Sequence, residues 1–419
     1  MINDNLEHYR EVINDAACLM SGYFQKSVHF TSVTEISEPD RRNVILRLLF
    51  DNPTRDMPQT LILKKTAVEN QVIEPSQTET EAEQLTRFAH DWAGIEFLTQ
   101  IGNDHAPRFY AGSIPHKYII IEDLGYGHPS LVTPLTRAPS PLNQQEAISA
   151  LTCYAKRLGR MHADTAGKFD QYSSILKRIY PQAHRFNFIP RTDSNMILDR
   201  FRKLIGDTPK NLEKDINDVL EFSQAMSEFK VFLHGDICPD NVYYKNNIMR
   251  FIDFEYADFG NALVDGVYMR MHMPSCWCSK SIPLPIVLQL EDIYRNELKK
   301  GIITAVDDTV YHRQLTFSCG YWLVRTIKQI NDMGLIDHEW ICPSGPIEPD
   351  SKWNPDENAF RPRIISRIEA FISISNETGH LIVLRETAVR LHAHLRKIWP
   401  DINRIDVFPV FKSEIDIIT

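Results

Sequence analysis

Two short apolar runs, Val231–Leu233 and Ile248–Ile252, bracket the stretch His234-Gly235-Asp236-Ile237-Cys238-Pro239-Asp240-Asn241, and the second run leads directly into Asp253-Phe254-Glu255. No other feature restricts the chain as much. Asp236 and Asn241 stand five residues apart, and Asp253 follows twelve residues later. A loop between strands supplies the first pair, and a returning strand brings the second carboxylate back alongside. An Asp-x4-Asn alone is ordinary turn or cap chemistry. Preceded by His-Gly and followed by an apolar-flanked Ile-Asp-Phe-Glu, it becomes specific.

The surrounding chain changes character once. Before residue 125, Val28–Ile36, Val44–Phe50 and Thr60–Lys64 are β-prone runs separated by Ser-Glu-Pro-Asp and Asp-Asn-Pro turns. A helix is expected from about Glu79 to Gln100, with Leu85, Phe88, Trp92, Ile95 and Leu98 on one face. Strands at Arg108–Ala111 and Tyr118–Glu122 follow. After Gly125 the pattern is helical, beginning with Leu151, Tyr154, Leu158 and Met161 on a helix from about Asn143 to Ala166. Proline-rich Asp332–Pro362 reads as a long loop.

Phosphoryl transfer needs such a set of oxygen donors. One carboxylate orients the attacking hydroxyl and takes its proton, while an amide oxygen and a second carboxylate hold Mg²⁺ against nucleotide phosphates. The pattern His-Gly-Asp-x4-Asn followed by Ile-Asp-Phe-Glu resembles the aminoglycoside phosphotransferase and choline kinase family, which are small-molecule kinases with a protein-kinase-like fold. A protein kinase would carry His-Arg-Asp, Asp-Phe-Gly and Ala-Pro-Glu; here Gly235 replaces the Arg, Glu255 replaces the Gly, and no Ala-Pro-Glu follows. The resemblance implies a bilobal α+β fold, with a β-rich nucleotide-binding lobe over residues 1–124 and a larger helical catalytic and substrate-binding lobe over 125–419. It implies Asp236 as base, Asn241 and Asp253 as Mg²⁺ ligands, His234 as a support of the loop, and ATP in the interlobe cleft.

The same resemblance extends upstream. Thr60-Leu-Ile-Leu-Lys64-Lys65 looks like the strand whose lysine reaches the α- and β-phosphates. Strand alternation allows only one of the two lysines into the cleft, and the family pattern of apolar residues directly before the lysine implies Lys64. Its acidic partner would be Asp91 in Asp91-Trp-Ala-Gly-Ile-Glu-Phe-Leu98, with Glu81 and Glu83 as alternatives. Ile119-Ile-Ile-Glu122-Asp123-Leu124-Gly125 resembles the hinge, whose backbone over Glu122, Asp123 and Leu124 would bind adenine. The phosphate-covering turn, Ser37–Arg41, has no glycine, and neither Gly-x-Gly-x-x-Gly nor a P-loop occurs. A nucleotide-binding pseudokinase is the other reading this leaves.

A net charge of −9 argues against nucleic acid as a partner, because phosphate binding wants a basic face. No apolar run is long enough to span a membrane, and the acidic N-terminus does not suit a signal peptide. A cytoplasmic protein with its seven cysteines as reduced thiols is the expectation; the oligomeric state is not legible. His272, Cys276 and Cys278 lie close together without a second Cys pair, so they read as packing rather than a zinc site. The loop 332–362 carries seven acids against two basic residues. It reads either as solvated surface or, with Trp340 and Trp353, as a wall for a cationic acceptor such as an amino sugar, amino alcohol or antibiotic.

Overall fold

The computed structural model of the chain describes residues 4–37, 42–66, 80–127, 129–186, 194–224 and 227–412. The turn expected to cover the phosphates lies, beyond Ser37, outside them. The chain divides into two compact units. The first takes in residues 1–127, 170–185 and 250–257, and the second takes in residues 128–169, 186–249 and 258–419. The mixed α+β class expected from the sequence is what the chain shows, with a small antiparallel sheet in the first unit and mostly helix in the second.

The first unit is built on α1 (Arg10–Phe24), β1 (Phe30–Glu35), β2 (Asn43–Phe50), β3 (Thr60–Thr66), α2 (Glu81–Gln100), β4 (Phe109–Ser113) and β5 (Tyr118–Glu122). All five expected strands form, and they order as β1-β2-β3-β5-β4 with antiparallel pairing throughout. Alternation sends Leu46, Leu48, Leu61, Leu63 and Ile120 to one face, where they pack with Val12, Ile13, Ala16 and Met20 of α1. That helix is an addition to the strand-rich unit the sequence suggested. With the apolar residues of β3 committed to α1, Lys64 takes the opposite face and Lys65 does not.

Helix α2 begins at Thr80, whose side chain accepts from the Glu83 amide while the Glu83 carboxylate accepts from the Thr80 amide. This reciprocal cap satisfies two amides that the first turn would otherwise leave open. Thr80→Ala is expected to destabilise the protein by about 1 kcal/mol, read as a lower urea midpoint with unchanged slope.

The second unit contains α3 (Val132–Thr136), α4 (Pro141–Thr165), α6 (Ser194–Ile205), α7 (Leu212–Gln224), β6 (Lys230–Leu233), β7 (Val242–Lys245), β9 (Asp258–Asn261), α8 (Ala262–Gly266), α9 (Leu284–Leu298), α10 (Asp308–Asp332), α11 (Phe360–Thr378) and α12 (Ile382–Ile398). Two further elements, α5 (Phe169–Ile179) and β8 (Ile248–Phe251), carry the chain between the units. The strands flanking the Asp236–Asn241 loop do not pair with each other. Strand β6 pairs with β9, from Lys230↔Asn261 to Leu233↔Asp258, and β7 pairs with β8 as a hairpin. Central α10 is buried along most of its length against α7, α8 and α11. No helix among the described residues is long and apolar enough to cross a membrane.

Candidate active site

In the first unit, β3, α2 and the 250–257 segment supply one cluster. Lys64 Nζ lies 2.8 Å from Asp91 Oδ2 and 2.5 Å from Asp253 Oδ1. Glu81 and Glu83 are occupied elsewhere, the first by Lys117 and the second by the Thr80 cap, so Asp91 is the carboxylate that meets the lysine. Asp91 also accepts the Phe254 amide through Oδ1, at 2.8 Å. Its neighbour His90 is fully buried, with Nδ1 2.6 Å from the Ala257 carbonyl. Consecutive residues of α2 therefore grip the Asp253–Ala257 turn at two points. Asp253 itself has a left-handed backbone, φ 66°, which Asp adopts more readily than most side chains.

Charge in this cluster is crowded. Burial disfavours the Lys64 ammonium, but Asp253, Asp91 and Glu255 outweigh it and raise the lysine above its usual range. Burial pushes the Asp91 carboxyl up, against the pull of Lys64. Glu255 is pushed up to about 7 by burial and by Asp253, although Arg42 at 3.3 Å and Arg87 at 3.4 Å oppose the shift. Neither arginine was visible as a site residue, because nothing in local sequence marks which exposed-looking arginine will meet a carboxylate some 170 to 210 residues away.

Around the expected hinge, the Glu122 amide donates to the Arg108 carbonyl at 2.9 Å. The Asp123 carboxylate takes a two-pronged contact from Arg47, at 2.6 and 3.0 Å, which depresses its pKa despite burial. Arg47 also donates to the Gly125 carbonyl and lies over the Tyr126 ring. Arg47 of β2 thus holds the Asp123–Gly125 stretch, and the Asp123 carboxylate also accepts from the Gly125 amide.

In the second unit, Gly235 has φ +79°, a conformation open to glycine, immediately before Asp236. The His234 amide donates to buried Asp265 Oδ2 at 2.8 Å, which anchors the loop where it leaves β6. Asn241 Nδ2 donates to the Asp236 carbonyl at 2.9 Å and to Asp236 Oδ2 at 3.3 Å. Ser275 Oγ donates to Asp236 Oδ1 at 2.7 Å, and Trp277 Nε1 donates to Asp240 Oδ2 at 2.7 Å. Segment 275–278 is therefore part of the loop's setting, and no spacing in the sequence tied it there.

One expectation needs correction. Cys238 and Cys276 form a disulfide rather than remaining reduced thiols, while the other five cysteines are free. The pair is 38 residues apart, a separation without pattern, and only folding of segment 275–278 onto the loop brings the two together. Within the acidic loop, the Trp353 ring is already used. It is buried edge-on against Trp277 at 5.5 Å and faces Lys280 Nζ at 5.4 Å. Glu357 pairs with buried Lys280 at 2.6 Å, and Asp332 with Arg200 at 2.6 Å, so part of the acidity is neutralised internally. Asp350 is exposed.

Residues 105–283 match the family model described as a phosphotransferase enzyme family. That stretch includes Asp236, Asn241 and Asp253. Among solved structures, the chain is similar to a choline/ethanolamine kinase family protein from Mesorhizobium loti at 11% identity, covering 92% of this chain and 99% of that one, with a TM-score of 0.41. It is similar to choline kinase from Cryptosporidium parvum at 13% identity, with coverages of 92% and 99% and a TM-score of 0.42. A third likeness is to an amicoumacin kinase, at 13% identity, coverages of 88% and 93%, and a TM-score of 0.42. No curated protein sequence matches the chain. The family match bears out the resemblance read from His234–Asn241 and Ile252–Glu255, and with it the reading of the chain as an enzyme of the phosphotransferase kind.

Proposed function

We propose that the chain is an ATP- and Mg²⁺-dependent kinase that moves the γ-phosphoryl group to a hydroxyl of a small molecule. The observation that carries this reading is the buried Lys64 ammonium held by Asp91 and Asp253 together. Asp253 shares that one ammonium with Asp91, while Glu255 is met by Arg42 and Arg87. Asp253 keeps 34% of its side chain exposed, so it is the one able to exchange partners. A divalent cation would suit a carboxylate that shares its cation with a second one, and hard oxygen donors suit Mg²⁺. Asn241 fits as the other ligand, because an amide oriented by its nitrogen toward Asp236 turns its oxygen the opposite way.

When bound, Mg²⁺ would neutralise charge on the phosphate oxygens. The chain's own groups do the rest. Lys64, aimed by Asp91, meets the α- and β-phosphates, and the backbone over Glu122–Leu124 meets the adenine. Asp236 accepts the proton as the acceptor oxygen bonds to the γ-phosphorus and the bond to the β,γ-bridging oxygen breaks. Ser275 shows that the Asp236 carboxylate accepts from a hydroxyl at 2.7 Å in this setting.

ATP consumption over a panel of amino sugars, amino alcohols and antibiotics, with and without Mg²⁺, tests the reading. Acceptor-dependent, Mg²⁺-dependent turnover is expected. ATP binding indifferent to Mg²⁺ and without turnover would favour a pseudokinase. The acceptor's charge is tested at Asp350. One exposed charge is worth about 0.2–1 kcal/mol and is screened by salt. Asp350→Asn should therefore raise KM for a cationic acceptor by about 1.4- to 5-fold at low salt, less at high salt, with kcat unchanged. Glu357 is unsuitable for this test, since its removal strands buried Lys280.

A further inference from the structure

Cys238 sits inside the Asp236–Asn241 loop, bonded to Cys276, and a third sulfur, Cys278 Sγ, lies 2.9 Å from Cys276 Sγ. The three are buried and their sulfurs lie within 4.8 Å of one another. The segment carrying two of them also makes the Ser275–Asp236 and Trp277–Asp240 hydrogen bonds. Behind it, buried Arg363 donates to the Cys276 and Trp277 carbonyls at 2.9 and 2.8 Å. The segment is thus fixed from one side by Arg363 and joined on the other to the loop that holds Asp236. The one covalent link in that join is Cys238–Cys276, and a free thiol stands against it.

We propose that Cys238, Cys276 and Cys278 form a disulfide-exchange site that sets whether the Asp236–Asn241 loop is covalently tied to segment 275–278. In the exchange, the Cys278 thiolate attacks Cys276 Sγ. The Cys276–Cys278 bond forms, the Cys238–Cys276 bond breaks, and Cys238 leaves as a thiolate that takes the proton given up by Cys278. No outside oxidant is needed. Full reduction to three thiols takes two electrons and two protons from an external dithiol, which becomes a disulfide. Burial holds the Cys278 thiol above its usual pKa, so exchange is slow near neutrality and faster in alkali. Zinc is the other use of clustered thiols, but structural sites take four ligands. Three sulfurs are present here, two of them already joined.

The consequence for turnover rests on the proposed function, so the deciding measurement is chemical. The chain is isolated without reductant, unfolded in acid with N-ethylmaleimide, and its disulfide-linked peptides are mapped by mass spectrometry. Wild type should show one disulfide shared among the three cysteines, chiefly Cys238–Cys276. Incubation at pH 9 should add Cys276–Cys278 links. Cys278→Ser should show Cys238–Cys276 alone, and Cys238→Ser should show Cys276–Cys278 alone and melt several degrees lower, having lost a cross-link over 38 residues. Should Cys238→Ser not fold, the wild-type map at pH 9 decides by itself. Seven free thiols in glutathione-disulfide buffer, a pH 9 map holding only Cys238–Cys276, or one equivalent of bound zinc would each overturn the proposal. Failure of every form to consume ATP would count against the proposed function and leave the peptide map to judge the exchange site.

Discussion

Asp236→Asn is expected to lower turnover by about 10²–10⁴-fold while nucleotide binding persists, because it removes the proton acceptor and little else. The amide oxygen of the new side chain can still accept from Ser275 Oγ, and the Asn241 Nδ2 bond to the residue 236 carbonyl is untouched. The 3.3 Å contact between Asn241 Nδ2 and Oδ2 becomes unfavourable. The loop should therefore keep its shape, and the loss should appear in kcat rather than in the KM for ATP. Single-turnover assays at saturating ATP would measure it. A wild-type rate from Asp236→Asn would remove Asp236 as the base.

Lys64→Met is expected to cost about 3–5 kcal/mol of stability, the usual penalty for deleting one partner of a buried ion pair. The weight falls on Asp91, only 5% exposed, which would keep the Phe254 amide but lose its cation. Asp253 can recover by turning to water through its exposed third. Adding Asp91→Asn to Lys64→Met should therefore recover part of the loss, since the double variant buries no unpaired charge. Urea unfolding of the two single variants and the double variant measures this coupling. Additive losses would mean that Lys64 and Asp91 are not a pair in solution. The same Lys64→Met chain should bind ATP weakly whatever its stability.

Some of this was legible without a structure because it depends only on neighbours in the chain. The two-residue period of a strand put Lys64 and Lys65 on opposite faces, so only one of them could enter the cleft, and the family resemblance favoured Lys64. The stripe Phe88, Trp92, Ile95 placed α2. The five strands of the first unit were readable for the same reason. Helix α1 was equally available in Val12, Ile13, Ala16 and Met20, whose spacing is helical; the short strand runs beside it drew the reading away.

Other features are not properties of any segment. The sequence runs 170–185 and 250–257 pack with the first unit although the chain around them belongs to the second. Strand β6 takes β9 as its partner in preference to β8, the strand expected to flank the same loop. Arg42 and Arg87 meet Glu255, Ser275 meets Asp236, and Cys238 meets Cys276. By itself the sequence determined the residue types that could carry phosphoryl transfer and the local elements that hold them, because periodicity, turn conformation and motif spacing are short-range. Which carboxylate meets Lys64, which hydroxyl rests on Asp236 and which thiols join were decided only by the tertiary structure. Those contacts depend on burial and on distances of a few ångströms between residues far apart in the chain, which no local pattern encodes.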